Sequence, residues 1–330
     1  MSSGRWLWHQ GPLLLAVTML CWAGSVIVGR AAAGLVPPVQ FTLLRWAIGL
    51  VIVTPFAWAH VRADLPALWA RRWVVLTLAL LGTCLYNILV YRGLHDTTAV
   101  NGLLMQSVTP LAVLLVGLTI GQRPTARQGV AILISILGVL VIGAEGSFAT
   151  LRALRFNPGD GLILAAVGSY AVYSVVLKSK PAVHPMSLLA VMFAIGVMVL
   201  TPIAGLEWVH GQRLVSSLPA WGAVVYAGVF ASFVATLCYN RGIELVGAVR
   251  GGQFMHLIPV FGTLLAVTLL GEQLHPYHGV GVALIAAGLL VAGSAAHRLP
   301  HERALQAGHP VHPGDPDVAD EAQQRVIGAE

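Results

Sequence analysis

Ten apolar stretches, each long enough to cross a bilayer as a helix of about 20 residues, constrain this chain more than any other feature. They run over 11–33, 38–59, 73–94, 97–120, 127–144, 159–178, 185–206, 218–241, 246–270 and 276–296. In lipid every backbone N–H and C=O must be satisfied within the protein, which leaves helices and closed barrels as spanning structures. Runs of this length read as helices. Charged residues make up 10% of the chain against 57% hydrophobic ones, too few to cover a soluble protein of this size. That balance argues against a nucleic-acid-binding protein, a secreted disulfide scaffold and a soluble enzyme. Cys21, Cys84 and Cys238 fall inside apolar runs without pairing or metal spacing and read as small core residues.

The first run is longer than a signal-peptide core and is interrupted by Trp22 and Gly24, so it is expected to be retained as a span. Basic residues set the orientation, because Lys and Arg collect on the cytoplasmic side. With the N-terminus inside, the outer loops hold Arg30, Arg92, Arg152, Arg155 and Arg213, and most other basic residues fall inside. Both termini are therefore expected in the cytoplasm.

An internal repeat organises the runs. Arg92, Gly93 and Leu94 align at an offset of 149 with Arg241, Gly242 and Ile243, and Pro110 aligns with Pro259. After one inserted residue Gly121 meets Gly271, Gly129 meets Gly279 and Gly138 meets Gly288. Earlier, at offset 148, Trp22 meets Tyr170. An odd number of spans per half makes the second half enter from the opposite side, so the expected fold is an all-α membrane protein. It has ten transmembrane helices in two inverted five-helix repeats around a central cavity. Inverted repeats belong chiefly to transporters, with the substrate site at the midplane between the halves. The expected division is a cytoplasmic N-terminus 1–10, a first repeat 11–145, a periplasmic linker 146–158, a second repeat 159–297 and a disordered cytoplasmic tail 298–330. Histidines His297, His301, His309 and His312 in that tail have no fold to hold a metal.

The string Tyr91-Arg92-Gly93-Leu94 through Pro110 to Gly121-Gln122, its second copy from Asn240 through Pro259 to Gly271-Glu272, and Trp22-Ala23-Gly24-Ser25 near the start resemble the drug/metabolite transporter superfamily, EamA family. The resemblance covers about residues 11–297. It is nearest to the bacterial aromatic amino-acid exporters of the YddG type, and it implies ten helices forming a basket around a cavity. Gln122 departs from the pattern set by Glu272.

Polar groups inside the spans are the candidate site. Thr83, Asn87 and Tyr91 recur every four residues, and their partners Ser232, Thr236 and Asn240 repeat the stripe in the second half. Four-residue spacing puts each trio on one helix face. Such a stripe serves either as the wall of a translocation cavity or as hydrogen-bonding glue between helices. Gln106, Gln253 and His256 are too deep for headgroups to satisfy and should face the interior. Trp22, Tyr170 and Tyr173, with Tyr86 and Tyr239 beside the stripes, supply aromatic surface for stacking. Pro110 and Pro259 read as mid-helix hinges, each freeing a carbonyl four residues earlier. Arg45 is placed two turns from a helix end, within reach of the headgroups by snorkelling. No Ser-His-Asp set, phosphate loop or carboxylate pair is found in the spans, so the expectation is a non-enzyme without cofactor or metal. Its partners would be a small-molecule substrate and the lipid bilayer, with no nucleic acid and a monomer favoured. The function expected is export of aromatic or other apolar amino acids and related metabolites across the inner membrane of a bacterium. Facilitated diffusion is the expected mode; a proton-coupled drug or metabolite antiporter, with His256 as the proton site, is the alternative, and an integral-membrane enzyme the second.

Overall fold

The computed structural model describes residues 9–119, 121, 126–147, 157–246 and 254–296. Among them all regular secondary structure is helical. The helices are α1 Gly11–Ala31, α2 Pro38–Ala70, α3 Arg72–Asp96, α4 Ala99–Gln106, α5 Thr109–Thr119 and α6 Ala126–Gly143. The second half supplies α7 Pro158–Ser179, α8 Pro185–Val209, α9 Leu218–Val246, α10 Leu257–Leu270 and α11 Pro276–Ala296. Six of these (α1, α2, α3, α7, α8 and α9) are long and apolar enough to cross a membrane, and α4 with α5 makes a seventh if that bent pair is one span. Shorter apolar helices lie at Gly129–Ile142 and Leu257–Leu270. The chain is thus a multi-pass membrane protein.

Several helices open on proline: α1, α2, α7, α8 and α9 each carry one at the first or second position. The first turn has no intrahelical partner for its N–H groups, so a proline there loses nothing and brings a pre-set φ. The prolines expected as mid-helix hinges follow the same rule. Pro110 is the second residue of α5 and Pro259 the third of α10, which follows a 3-10 turn at Phe254–His256. A proline cannot continue a helix but can restart one, so at Pro110 the helix breaks at Ser107–Val108 and bends by 43°. The carbonyl of Gln106 is not left for a ligand: the Thr109 hydroxyl donates to it over 2.6 Å.

Helix α2 also differs from expectation. It continues past residue 59 to Ala70, through Pro55 and Pro66. The apolar run ends where the bilayer would, but the helix need not, since water supports its polar continuation.

Packing repeats between the halves. Helix α1 packs on α9 and α10, and its repeat partner α7 packs on α3 and on the α4–α5 pair. Helix α2 lies along α8, and α6 along α11. Exchanging the halves returns the same set of neighbours. The backbone repeats as well: α3 contains a π-helical segment at Ala79–Leu85 and α9 one at Ala227–Val234, aligned at nearly the offset read from the sequence. Gly121 and Gly271, paired in the repeat, both end their helices in the left-handed region at φ 79° and 67°, where a Cβ is disfavoured. Where α6 crosses α11, Gly281 lies against Ile142 and the Gly138 carbonyl, and Gly288 against Ser135. Gly279, the repeat partner of Gly129, faces open space.

Carboxylates join the helix ends. Glu207, on α8, accepts from the backbone N–H groups of Val39 and Gln40 in the first turn of α2, at 3.2 and 3.1 Å. Glu272, just after α10, accepts from Ala99 and Val100 at the start of α4, at 2.8 and 2.9 Å. Each fills two orphan donors at the positive end of a helix dipole. Asp64 of α2 returns the favour to α8, accepting from the N–H of its N-cap residue His184 over 2.9 Å.

Candidate functional site

A cavity of about 570 Å³ lies between the two halves. Its wall includes Trp22 and Ser25 from α1, Arg45 and Trp46 from α2, Thr83, Tyr86, Asn87 and Tyr91 from α3, and Gln106 at the end of α4. Tyr170 and Tyr173 of α7, Phe193 of α8, Ser232 and Thr236 of α9, and both prolines, Pro110 and Pro259, complete the part that sequence singled out or that carries its chemistry.

Both polar stripes face this space except for Asn240 at the end of the second, and each is tied to the π segment of its helix. A π turn leaves backbone carbonyls without their usual donors, and a stripe side chain reaches back five residues to supply one in each half. Asn87 Nδ2 donates to the Gly82 carbonyl over 2.9 Å, and Ser232 Oγ donates to that of Ala227 over 2.9 Å. Thr236 Oγ1 donates to the Ser232 carbonyl over 2.6 Å. The stripes are therefore cavity wall, and these bonds also hold their own helices together at the π turns.

Arg45 is where they meet. It is 8% exposed, and its side chain turns into the bundle instead of reaching for the headgroups. Nε donates to Ser232 Oγ over 2.9 Å; Nη1 donates to Asn87 Oδ1 over 2.9 Å and to Tyr91 Oη over 2.5 Å, with Ser25 Oγ at 3.4 Å. The guanidinium also lies 4.5 Å from the centroid of the Trp46 ring, a cation–π contact. All these acceptors are neutral, and the two ion pairs among the described residues, Arg92–Asp96 and Arg241–Glu244, lie elsewhere. Snorkelling is thus corrected: the Arg45 charge lies inside the bundle, against the cavity. Residue order along α2 did not show which way this helix turns. The available signal was the coincidence of one intramembrane cation with a stripe of hydroxyl and amide groups.

Aromatic rings line the remainder. Trp22 fixes its ring by donating from Nε1 to the Ala231 carbonyl, 3.2 Å away, and packs on Tyr239 at 5.3 Å between centroids. Tyr86 donates to Gln106 Oε1 over 2.7 Å and packs on Tyr170 at 5.2 Å, which meets Tyr173 at 5.3 Å. Trp46 donates to the Thr83 carbonyl over 2.8 Å and packs on Phe193 at 4.5 Å. Two expected site residues are not in the wall: Tyr239 stands behind Trp22, and Asn240 is half-buried away from the cavity. Gln253 and the side chain of His256 lie outside what the structure describes, as does Gln122.

Fold and site together define a helical membrane protein of two equivalent halves enclosing one amphipathic cavity. The chain belongs to the EamA-like transporter family, whose sequence profile matches it twice, over residues 9–144 and 157–294. Its relatives include the uncharacterised transporters YyaM and YetK of Bacillus subtilis (strain 168). YyaM is 27% identical over 68% of this chain and 74% of its own length, and YetK 25% identical over 84% of each. An uncharacterised transporter of Archaeoglobus fulgidus is 25% identical over 87% of this chain and 98% of its own. A crystal structure 23% identical in sequence superposes with a TM-score of 0.56, covering 88% of this chain and 98% of that one, which is a likeness of fold.

Proposed function

We propose that the chain is a secondary transporter that exports aromatic or other apolar amino acids and related small metabolites across the bacterial inner membrane. The observation that carries this reading is the cavity between the halves, where a ring-lined wall and a polar stripe face the same space. Rings suit an apolar side chain, and the polar stripe suits the backbone-like end of an amino acid. Ten spans in inverted repeats of 11–145 and 159–297, with a periplasmic linker at 146–158 and both termini (1–10 and 298–330) cytoplasmic, accord with the exchange-symmetric packing and the Lys/Arg distribution. The protein acts as a monomer without cofactor. In this orientation the Glu207 and Glu272 clamps lie at the periplasmic ends of their helices. Pro110, Tyr173 and Phe193 lie toward the other side, so the cavity extends from the level of Arg45 and Gln106 toward the cytoplasm.

Flux is facilitated, down the substrate's own gradient. Proton exchange through His256 is the second reading, favoured by the position of this residue in the 3-10 turn ahead of α10, next to cavity-lining Met255. A proteoliposome screen with mixed amino acids, nucleobases and cationic drugs tests the proposal. A transporter moves solute unmodified, whereas a membrane enzyme releases product. Concentrative, uncoupler-sensitive flux under an imposed pH gradient, lost in His256→Gln, would replace uniport with exchange.

A further inference from the structure

The protein uses only part of the Arg45 guanidinium. Nε and Nη1 are held by Ser232, Asn87 and Tyr91. Nη2 donates to none of the described residues, and it is not among the sealed, partnerless buried atoms. Arg45 is itself part of the cavity wall. A guanidinium is charged at any physiological pH, and here its acceptors are all neutral. Among the described residues the cavity wall contains no Asp or Glu. An intramembrane cation facing a cavity with no counter-anion marks the pathway of a group that supplies one.

We infer that Arg45 is the binding residue for a carboxylate on the cargo, and that the cavity selects small monocarboxylates with an aromatic or apolar body, an ammonium group being dispensable. The inference rests on the transporter reading and names the substrate class of the same site. One cation suits a monoanion; a phosphate dianion is ordinarily met by several donors and cations at once. Trp22 and Tyr170 offer ring faces for the body of the cargo. An amine without an acid meets a guanidinium it cannot pair with, so cationic solutes are disfavoured by charge.

The test uses three labelled probes that share one ring and a two-carbon link from it to the charged group: 3-phenylpropionate, phenylalanine and phenethylamine. Binding is measured on the purified full chain in detergent, and flux in proteoliposomes. The acid and the amino acid are expected to bind at least tenfold more tightly than the amine. Arg45→Gln is expected to remove that preference, and Arg45→Lys to restore it in part, with folding followed by thermal unfolding. If Arg45→Gln does not fold, the ranking of the three probes on the unaltered protein still decides. Amine binding as tight as acid binding, or no binding by any probe, would overturn the assignment. Acid-selective binding without flux would leave Arg45 as a carboxylate site and remove the transport reading instead.

Discussion

The Nε of Arg45 on α2 donates to the Oγ of Ser232 on α9 over 2.9 Å, so a charge carried by the first half of the chain is held by the second. The Ser232 hydroxyl in turn donates a hydrogen bond to the Ala227 carbonyl inside the π segment of α9. Arg45, the π turn and the cavity wall therefore form one hydrogen-bonded unit, and changes to any member should be felt by the others.

Ser232→Ala removes an acceptor from a buried charge and a donor from a buried carbonyl. The expected cost is about 1–3 kcal/mol, seen as a lower midpoint of thermal unfolding in detergent. Ser232→Thr, which keeps the hydroxyl, is expected to recover most of it. An alanine variant as stable as the parent would show that the two groups find other partners.

The clamps at Glu207 and Glu272 are carboxylates on helix N-termini. Glu207→Gln and Glu272→Gln keep the shape and lose the charge, and each is expected to lower stability by roughly 1 kcal/mol. They act on different helices, so the double variant should show the sum to within about 0.5 kcal/mol. Equal unfolding midpoints for parent and double variant would mean that charge at these ends is immaterial.

Close helix crossing is tested at Gly93, where an added Cβ would stand 2.8 Å from the backbone carbonyl of Gly159. Backbone cannot yield as a side-chain end can, so Gly93→Ala is expected to cost about 1–3 kcal/mol by overpacking. Gly168, with nothing within 4 Å of its Cβ position, should accept alanine without loss. Similar unfolding midpoints for the two variants would contradict the crossing.

Inverted topology requires the linker and the C-terminus to lie on opposite sides of the membrane. Reporter fusions at residue 155 and after residue 330 are expected to give opposite signals. Matching signals would remove the inverted arrangement and the midplane site with it.

Much of this architecture is legible in residue order because lipid enforces it. Apolar run length marks most helices, and the offset pairing Gly121 with Gly271 finds both in the same left-handed turn. The spacing of Thr83, Asn87 and Tyr91 places all three in one cavity wall. What is lost is rotation and breakage. Arg45 looks equally able to snorkel or to turn inward until the acceptors on α3 and α9 are in place. Pro110 looks like a mid-helix kink until Ser107 and Val108 leave the helix and Thr109 takes up the Gln106 carbonyl. Asn240 continues its stripe in sequence, yet lies outside the wall although its repeat partner Tyr91 is in it, because equal spacing along a helix does not show how far along that helix the cavity reaches.

The central claim, that the cavity around Arg45 is a transport site, is tested most directly by flux of labelled phenylalanine through the purified protein in liposomes. Asn87→Leu is measured beside it at equal amounts of folded protein. Saturable flux of chemically unchanged solute is expected, slowed at least tenfold in the variant, since Asn87 both holds Arg45 and lines the wall. Flux no faster than in protein-free liposomes, or equal flux in parent and variant, would contradict it.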